Sequence, residues 1–158
     1  MFEVSQSEFM VRLVVAALCG LLVGIDREIR QKPLGARTYV LVTAASSAWV
    51  MVTINFSIDA AEAFPDLNSD PTRVIQGLIG AIGFLGAGAI ITQNNSGRLR
   101  GVASWAAIWG TGVIGIACGL GYFAQAFAVS FLFFAVLNIY DAVERVSDKT
   151  AQGSERNR

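Results

Sequence analysis

The sequence predicts an all-α integral membrane protein, a bundle of five transmembrane helices, and three features carry that prediction. The first is composition. Of 158 residues, 54% are hydrophobic and only 15% charged, against roughly 25% charged in soluble domains, and mean hydropathy is +0.54. The second is a set of apolar runs of membrane-spanning length. The third is the sorting of basic residues between alternate loops.

A spanning helix needs about 20 predominantly apolar residues. Five runs qualify, at 9–25, 38–56, 74–92, 102–120 and 122–140. The fourth and fifth are separated only by Gly119, Leu120 and Gly121, so the chain must reverse there in a very tight turn. Residues 1–140 thus form one transmembrane domain, and 141–158 ("DAVERVSDKTAQGSERNR") a short polar tail, too polar to fold alone. A cleaved signal sequence at the first run is disfavoured, because Glu3 and Glu8 stand where basic residues belong and no A-x-A site follows.

Cytoplasmic loops carry an excess of Lys and Arg. The first loop has Arg27, Arg30, Lys32 and Arg37, the third Arg98 and Arg100, and the tail Arg145, Lys149, Arg156 and Arg158. With five spans, all of these fall on one side. The second loop carries Asp59, Glu62, Asp66 and Asp70 with no base before Arg73. The expected topology therefore places the N-terminus outside and the C-terminus in the cytoplasm of a multi-pass membrane protein.

The stretch "GLIGAIGFLGAGAII" at 77–91 holds five glycines. No Lys-Ser/Thr follows it and no strand precedes it, so it is not a phosphate loop. Rows of small residues let membrane helices approach closely. Ala16, Gly20 and Gly24 form such a row in the first span, and Ala103, Ala107, Thr111, Gly115 and Gly119 in the fourth. In the third span Gly77, Gly80, Gly83 and Gly86 step by three, so the smooth surface winds around the helix. That predicts a central third span touching at least two helices, with the first and fourth as candidates. The competing reading breaks this helix at Gly86-Ala87-Gly88 to offer carbonyls to an ion, but no acid lies within the span to help hold a cation. Packing is the reading adopted for Gly20, Gly24, Gly80, Gly83, Gly86, Gly88, Gly115 and Gly119. The fifth span is rich in Phe, with Tyr122 and Tyr140 at its ends, which suits the periphery or an oligomer contact.

The densest chemistry is "GIDREIRQKPLGARTY" at 24–39. Asp26 and Arg30 are four apart, as are Glu28 and Lys32, each with the acid first, the favourable order on a helix. Anchoring and topology account for Arg30 and Lys32. They do not account for Asp26, since an acid beside hydrocarbon is costly without a partner; a buried pair with Arg37 or Arg27 is expected. Asp26, Arg27, Glu28 and Arg37 are therefore candidate residues at the cytoplasmic face. Across the membrane, "NSDPTR" starts a helix, with Asp70 as cap and Pro71 at the first position. Arg73 and Arg12 have no topological use; each can snorkel, pair with an acid, or hold an anionic lipid headgroup.

With no histidine and two separated cysteines, Cys19 and Cys118, a zinc site or His-based triad is excluded. Both cysteines are expected to be small packing residues. No metal, cofactor or nucleic-acid signature stands out, and an enzyme is not expected.

These residues resemble the membrane domain of the MgtC/SapB family. The resemblance rests on "GLLVGIDREIRQKPLGARTYVLV", "DPTRVIQGLIGAIGFLGAGAII" and "LRGVASWAAIWGTGVIGIACGLG", in order, over roughly residues 18–121. Family positions fall on Gly24, Arg27, Pro33, Gly35, Arg37, Thr38, Asp70, Pro71, Arg73, 83–88, Gly101 and Trp109. Asp26 stands for the family's usual Glu, Tyr39 for its His, and Ala103-Ser104-Trp105 for Thr-Thr-Ala. The soluble C-terminal domain of some members is not expected in so short a tail. The resemblance implies a bacterial inner-membrane protein linked to growth in low magnesium and, in pathogens, to virulence. It further implies action on membrane partners such as the proton-translocating ATP synthase. Two readings remain: a non-enzymatic regulator, surrounded by membrane lipids, working by helix contact as a homo-oligomer or against a membrane-protein partner, and a cation channel or carrier related to magnesium. The spans offer no ionisable residue near mid-membrane, which favours the regulator.

Overall fold

The computed structural model describes residues 3–32, 34–64, 70–92 and 102–155, with side-chain surroundings for 3–32, 34–64, 70–86 and 104–139. Five α-helices make up the described structure, and these residues contain no strand: α1 Gln6–Ile29, α2 Ala36–Ala63, α3 Thr72–Thr92, α4 Val102–Gly119 and α5 Phe123–Glu155. Each apolar run of the sequence lies within a helix, apart from the turn residues Leu120 and Tyr122. Among described residues α1 and α2 are long and apolar enough to cross a membrane, and the apolar stretches Thr72–Gly86, Ser104–Gly119 and Phe123–Ile139 are shorter. The polar stretch after residue 140 does not leave the helix. It prolongs α5 to Glu155.

The helix ends are set by local chemistry. Ser5 opens α1 with a capping box, its hydroxyl accepting from Glu8 N–H at 3.3 Å while the Glu8 carboxylate accepts from Ser5 N–H at 3.3 Å. Just before it, Val4 is clasped to α2: its N–H donates to Asn55 Oδ1 at 2.8 Å and its carbonyl accepts from Asn55 Nδ2 at 3.0 Å. Two helices end in the same hydrogen-bonded motif. After α1, Lys32 N–H reaches Arg27 O and Gln31 N–H reaches Glu28 O; after α4, Tyr122 N–H reaches Ala117 O and Gly121 N–H reaches Cys118 O. Such an end needs one left-handed residue. Gly121 supplies it at φ +84, and this makes the tight α4–α5 reversal feasible. Gln31 adopts φ +50 without glycine's freedom, at a cost of about 1–2 kcal/mol.

Helix α2 lies between α1 and α4, and α4 has α1, α2, α3 and α5 all around it. A Cβ on Gly20 would sit 2.8 Å from Tyr39 O, on Gly24 2.7 Å from Ala36 Cα, on Gly115 2.7 Å from Ser46 Cβ, and on Gly119 2.7 Å from Ser47 O. These four positions are closed to any side chain, because backbone atoms of α2 occupy the space. Ile82 of α3 fills a different notch, at Gly112 of α4.

The expectation of a central third span is corrected. Helix α3 packs on α4 with a slight touch on α2, and α4 holds the centre. A Cβ at Gly77, Gly80 or Gly86 would meet nothing within 4 Å, and one at Gly83 only Trp109 Cδ1 at 3.9 Å. A spacing of three makes a helix smooth but does not decide whether the neighbour belongs to the same chain. The surroundings of Gly88, together with Pro33, Asp66, Arg98, Arg100, Gly101, Arg156 and Arg158, lie outside the described residues.

Many large apolar side chains point outward, and several small polar ones are buried beside the apolar core of Tyr39, Ile82, Ile108 and Ile114. Val14, Leu18, Leu41, Trp49, Phe84 and Phe131 are more than half exposed, whereas Thr43, Ser46, Ser47, Ser104, Thr111 and Ser130 are buried.

Gly115→Ala should therefore lower the thermal midpoint of the purified protein, by an amount reflecting about 1–3 kcal/mol of overpacking. Gly80→Ala, with open space around it, should be neutral or raise the midpoint by up to about 1 kcal/mol from helix propensity. Equal losses from both would contradict the packing described here.

Candidate functional site

At one end of the bundle the last turns of α1 carry the charged cluster. Arg27 is 3% exposed. Its Nη2 donates to the carbonyl of Leu137 on α5 at 3.0 Å, across 110 residues of sequence. One turn on, Arg30 pairs with Asp26 on its own helix through Nε and Oδ1, and its Nη2 donates to Asn138 Oδ1 at 3.0 Å. Asn138 is itself held by Nδ2 donation to Phe134 O at 2.8 Å. Two arginines of α1 thus grip consecutive residues of α5. The other oxygen of Asp26, Oδ2, is buried without a hydrogen-bond partner among the described residues.

The partner expected for Asp26 was Arg37 or Arg27, and the structure gives Arg30 instead. Arg37 is exposed at the start of α2. The helix brings position i+4 beside Asp26 without any loop, in the favourable order with the acid first. Glu28 has a different task. Helix α2 begins at Gly35, which has no capping side chain, and Glu28 Oε2 accepts the N–H of Ala36 at 2.9 Å. An acid from the preceding helix therefore caps α2, a job that favours negative charge at a helix N-terminus.

Tyr39 is fully buried and donates its hydroxyl to Ser104 O at 3.3 Å, joining α2 to α4. Sequence reasoning gave Tyr39 no role beyond replacing a family His. Asn138 was also missed, although an amide inside a Phe-rich run is a legible signal in membrane-length helices.

At the opposite end, Asp70 caps α3 as expected: Oδ1 accepts from Thr72 N–H at 3.0 Å and from the Thr72 hydroxyl at 2.6 Å. Those bonds hold its carboxyl below the usual aspartate range, with the nearby Arg73 adding to the effect. Arg73 itself is 83% exposed and 3.9 Å from Asp70. Arg12 reaches across to the end of α4, with Nη1 on Gly119 O at 2.8 Å. Among the described residues, Arg12 of α1 reaches α4, and Arg27 of α1 and Arg30 at its C-cap reach α5.

Cys19 and Cys118 are free and buried in the core. Among the described residues no group of three or more His, Cys, Asp or Glu side chains could hold a metal ion. The cluster ties helices together, with two acids, Asp26 and Glu28, among several bases.

The sequence matches the profile of the "MgtC family" over residues 13–146. It is 35% identical over 132 residues to Protein SapB of Bacillus subtilis (strain 168), covering 82% of this chain and 54% of that protein. It is 30% identical over 151 residues to Protein MgtC of Salmonella typhimurium (strain 14028s), with 94% and 60% covered. Against the Putative magnesium transporter YhiD of Escherichia coli (strain K12), identity is 30% over 134 residues, with 85% and 61% covered. The chain thus spans a little over half the length of these relatives. No solved structure matches it.

Two outcomes follow from the caps. Glu28→Ala should lower stability by about 0.5–2 kcal/mol, read as a reduced thermal midpoint, with Glu28→Gln losing less because it still offers an acceptor. Because the folded Asp70 carboxyl lies below its unfolded value, its contribution is full above the ordinary aspartate pKa of about 3.9 and is lost as pH falls through the lowered folded value. Amide exchange at Thr72 and Arg73 should accelerate on that acidification, and Asp70→Asn should flatten the pH dependence.

Proposed function

Since the chain belongs to the MgtC family, we propose that it is a five-span protein of the bacterial inner membrane, N-terminus out and C-terminus cytoplasmic, that acts without catalysis by helix contact with other membrane proteins under magnesium limitation. The observation that supports this most is the exposure of large apolar side chains on every helix, Leu18, Trp49, Phe84, Trp109 and Phe131 among them, around a core that also buries Thr43, Ser46, Ser47, Ser104, Thr111 and Ser130. Exposed apolar surface on that scale is tolerated in lipid and not in water. The helix-to-helix bonds from Arg12, Arg27 and Arg30 support a scaffold over a moving gate. Open glycine surface on α3 suits contact with a partner helix, whether a second copy or, by family resemblance, a subunit of the ATP synthase.

A second reading is supported by a name. The Escherichia coli relative is called a putative magnesium transporter, and Asp26 places one partly unsatisfied carboxylate oxygen at a helix end. Transport would use that acid as part of a cation path.

Flux across liposomes separates the two. Protein verified as folded should give no magnesium, potassium or proton flux above empty vesicles. Flux that Asp26→Ala abolishes would put transport first. Loss of the protein from membranes on alkaline washing would overturn the membrane assignment under both readings.

A further inference from the structure

Arg12 sits at the bottom of a groove of about 250 Å³ between the start of α1 and the α4–α5 turn, lined by Ser7, Glu8, Val11, Arg12, Gly121 and Phe123. Three observations make it a site rather than a gap. Gly121, held at φ +84, places its bare backbone where a Cβ would lie 3.5 Å from the Arg12 guanidinium, so the turn gives that group its room. Of the guanidinium's donors, Nη1 is used on Gly119 O. Nη2 and Nε have no acceptor among the described residues. Glu8, one helical turn before Arg12, is exposed and spends one carboxylate oxygen on Ser5 N–H. Residues four apart on a helix are neighbours, so the groove offers a cation and an anion side by side.

Below the pair the surface becomes apolar. Val11, Val14 and Leu18 are 56%, 53% and 53% exposed along one stripe of α1, and Tyr122 is 57% exposed at the level of the groove. A tyrosine there marks the interface between hydrocarbon and water. The ligand that fits must carry an anion and a hydrogen-bonding cation a few bonds apart, with a hydrocarbon chain attached.

We propose that this groove seats a zwitterionic phospholipid with a primary ammonium headgroup, phosphatidylethanolamine in chemistry, its phosphate on Arg12, its ammonium on Glu8 and an acyl chain along Val11, Val14 and Leu18. The proposal rests on the membrane reading above but not on which side the N-terminus faces. Charge-assisted bonds to both ends give selectivity. Phosphatidylglycerol offers no ammonium to Glu8, and phosphatidylcholine has an ammonium without N–H.

The test is native mass spectrometry of the full chain in detergent, titrated separately with phosphatidylethanolamine, phosphatidylglycerol and phosphatidylcholine. Wild type should retain the first about tenfold better than the other two, the order expected for one charge-assisted bond, and excess inorganic phosphate should not displace it. Glu8→Gln is the deciding variant, because glutamine also completes a capping box and the thermal midpoint should hold. It should erase the preference for phosphatidylethanolamine over phosphatidylglycerol. Arg12→Gln should weaken all three lipids. Equal retention of the three lipids by wild type, or an unchanged preference in Glu8→Gln, overturns the proposal while leaving the membrane reading standing. Protein that stays dissolved without detergent overturns both, and displacement by inorganic phosphate assigns the groove to a free anion instead.

Discussion

Thr43 of α2 lies between two glycines from different helices. Its side-chain oxygen occupies the space a Cβ would need on Gly20 of α1, and its carbonyl occupies the space a Cβ would need on Gly115 of α4. Both approaches must be this close for the rest of the bundle to form as it does. Only then does Tyr39, one turn before Thr43, reach Ser104 of α4, and only then does Arg12 of α1 reach the end of α4. Thr43 can sit at such a junction because its hydroxyl is satisfied within α2, by donation to Tyr39 O at 2.9 Å. A buried hydroxyl without that bond would weaken the seam.

Charge and packing divide the work between the two ends and the middle. The middle is held by glycine-to-backbone contact, which is non-directional along the seam and would permit sliding by a turn. The ends are held by directional bonds: Val4 with Asn55 and Arg12 with Gly119 at one end, and Arg27, Arg30 and Glu28 at the other. Slippage of one turn would break these bonds at both ends together. Position along the helix axes is thus set by polar groups, and closeness by small ones.

Much of this was legible in the sequence, and the failures share a cause. The five helices, the Asp70 cap and the close-packed rows of α1 and α4 were readable, because hydropathy, capping and four-residue spacing are local signals. The Asp26–Arg30 pair was visible as a spacing, yet a tertiary partner was preferred for the acid. The central place given to the third span failed because glycine spacing describes one surface and is silent about what faces it. Glu28 as the cap of α2 depends on how the 30–35 turn folds the chain back, with a left-handed Gln31 that nothing in its side chain announces. Tyr39 and Asn138 matter through partners 65 residues away on α4 and on the facing arginine of α1. Such distances are set by the assembled bundle alone.

The bond from Arg27 to the carbonyl of Leu137 also carries information about time. A chain emerging from the ribosome at about 5–20 residues per second supplies the acceptor on the order of 5–20 seconds after the guanidinium that needs it. Throughout that interval α1 and α2 can pair through Gly20 and Gly24, but the cation has no α5 to receive it. The bond to Leu137 O can form only once α5 is present, so this link between the first helix and the last is available only after the other four helices have been made.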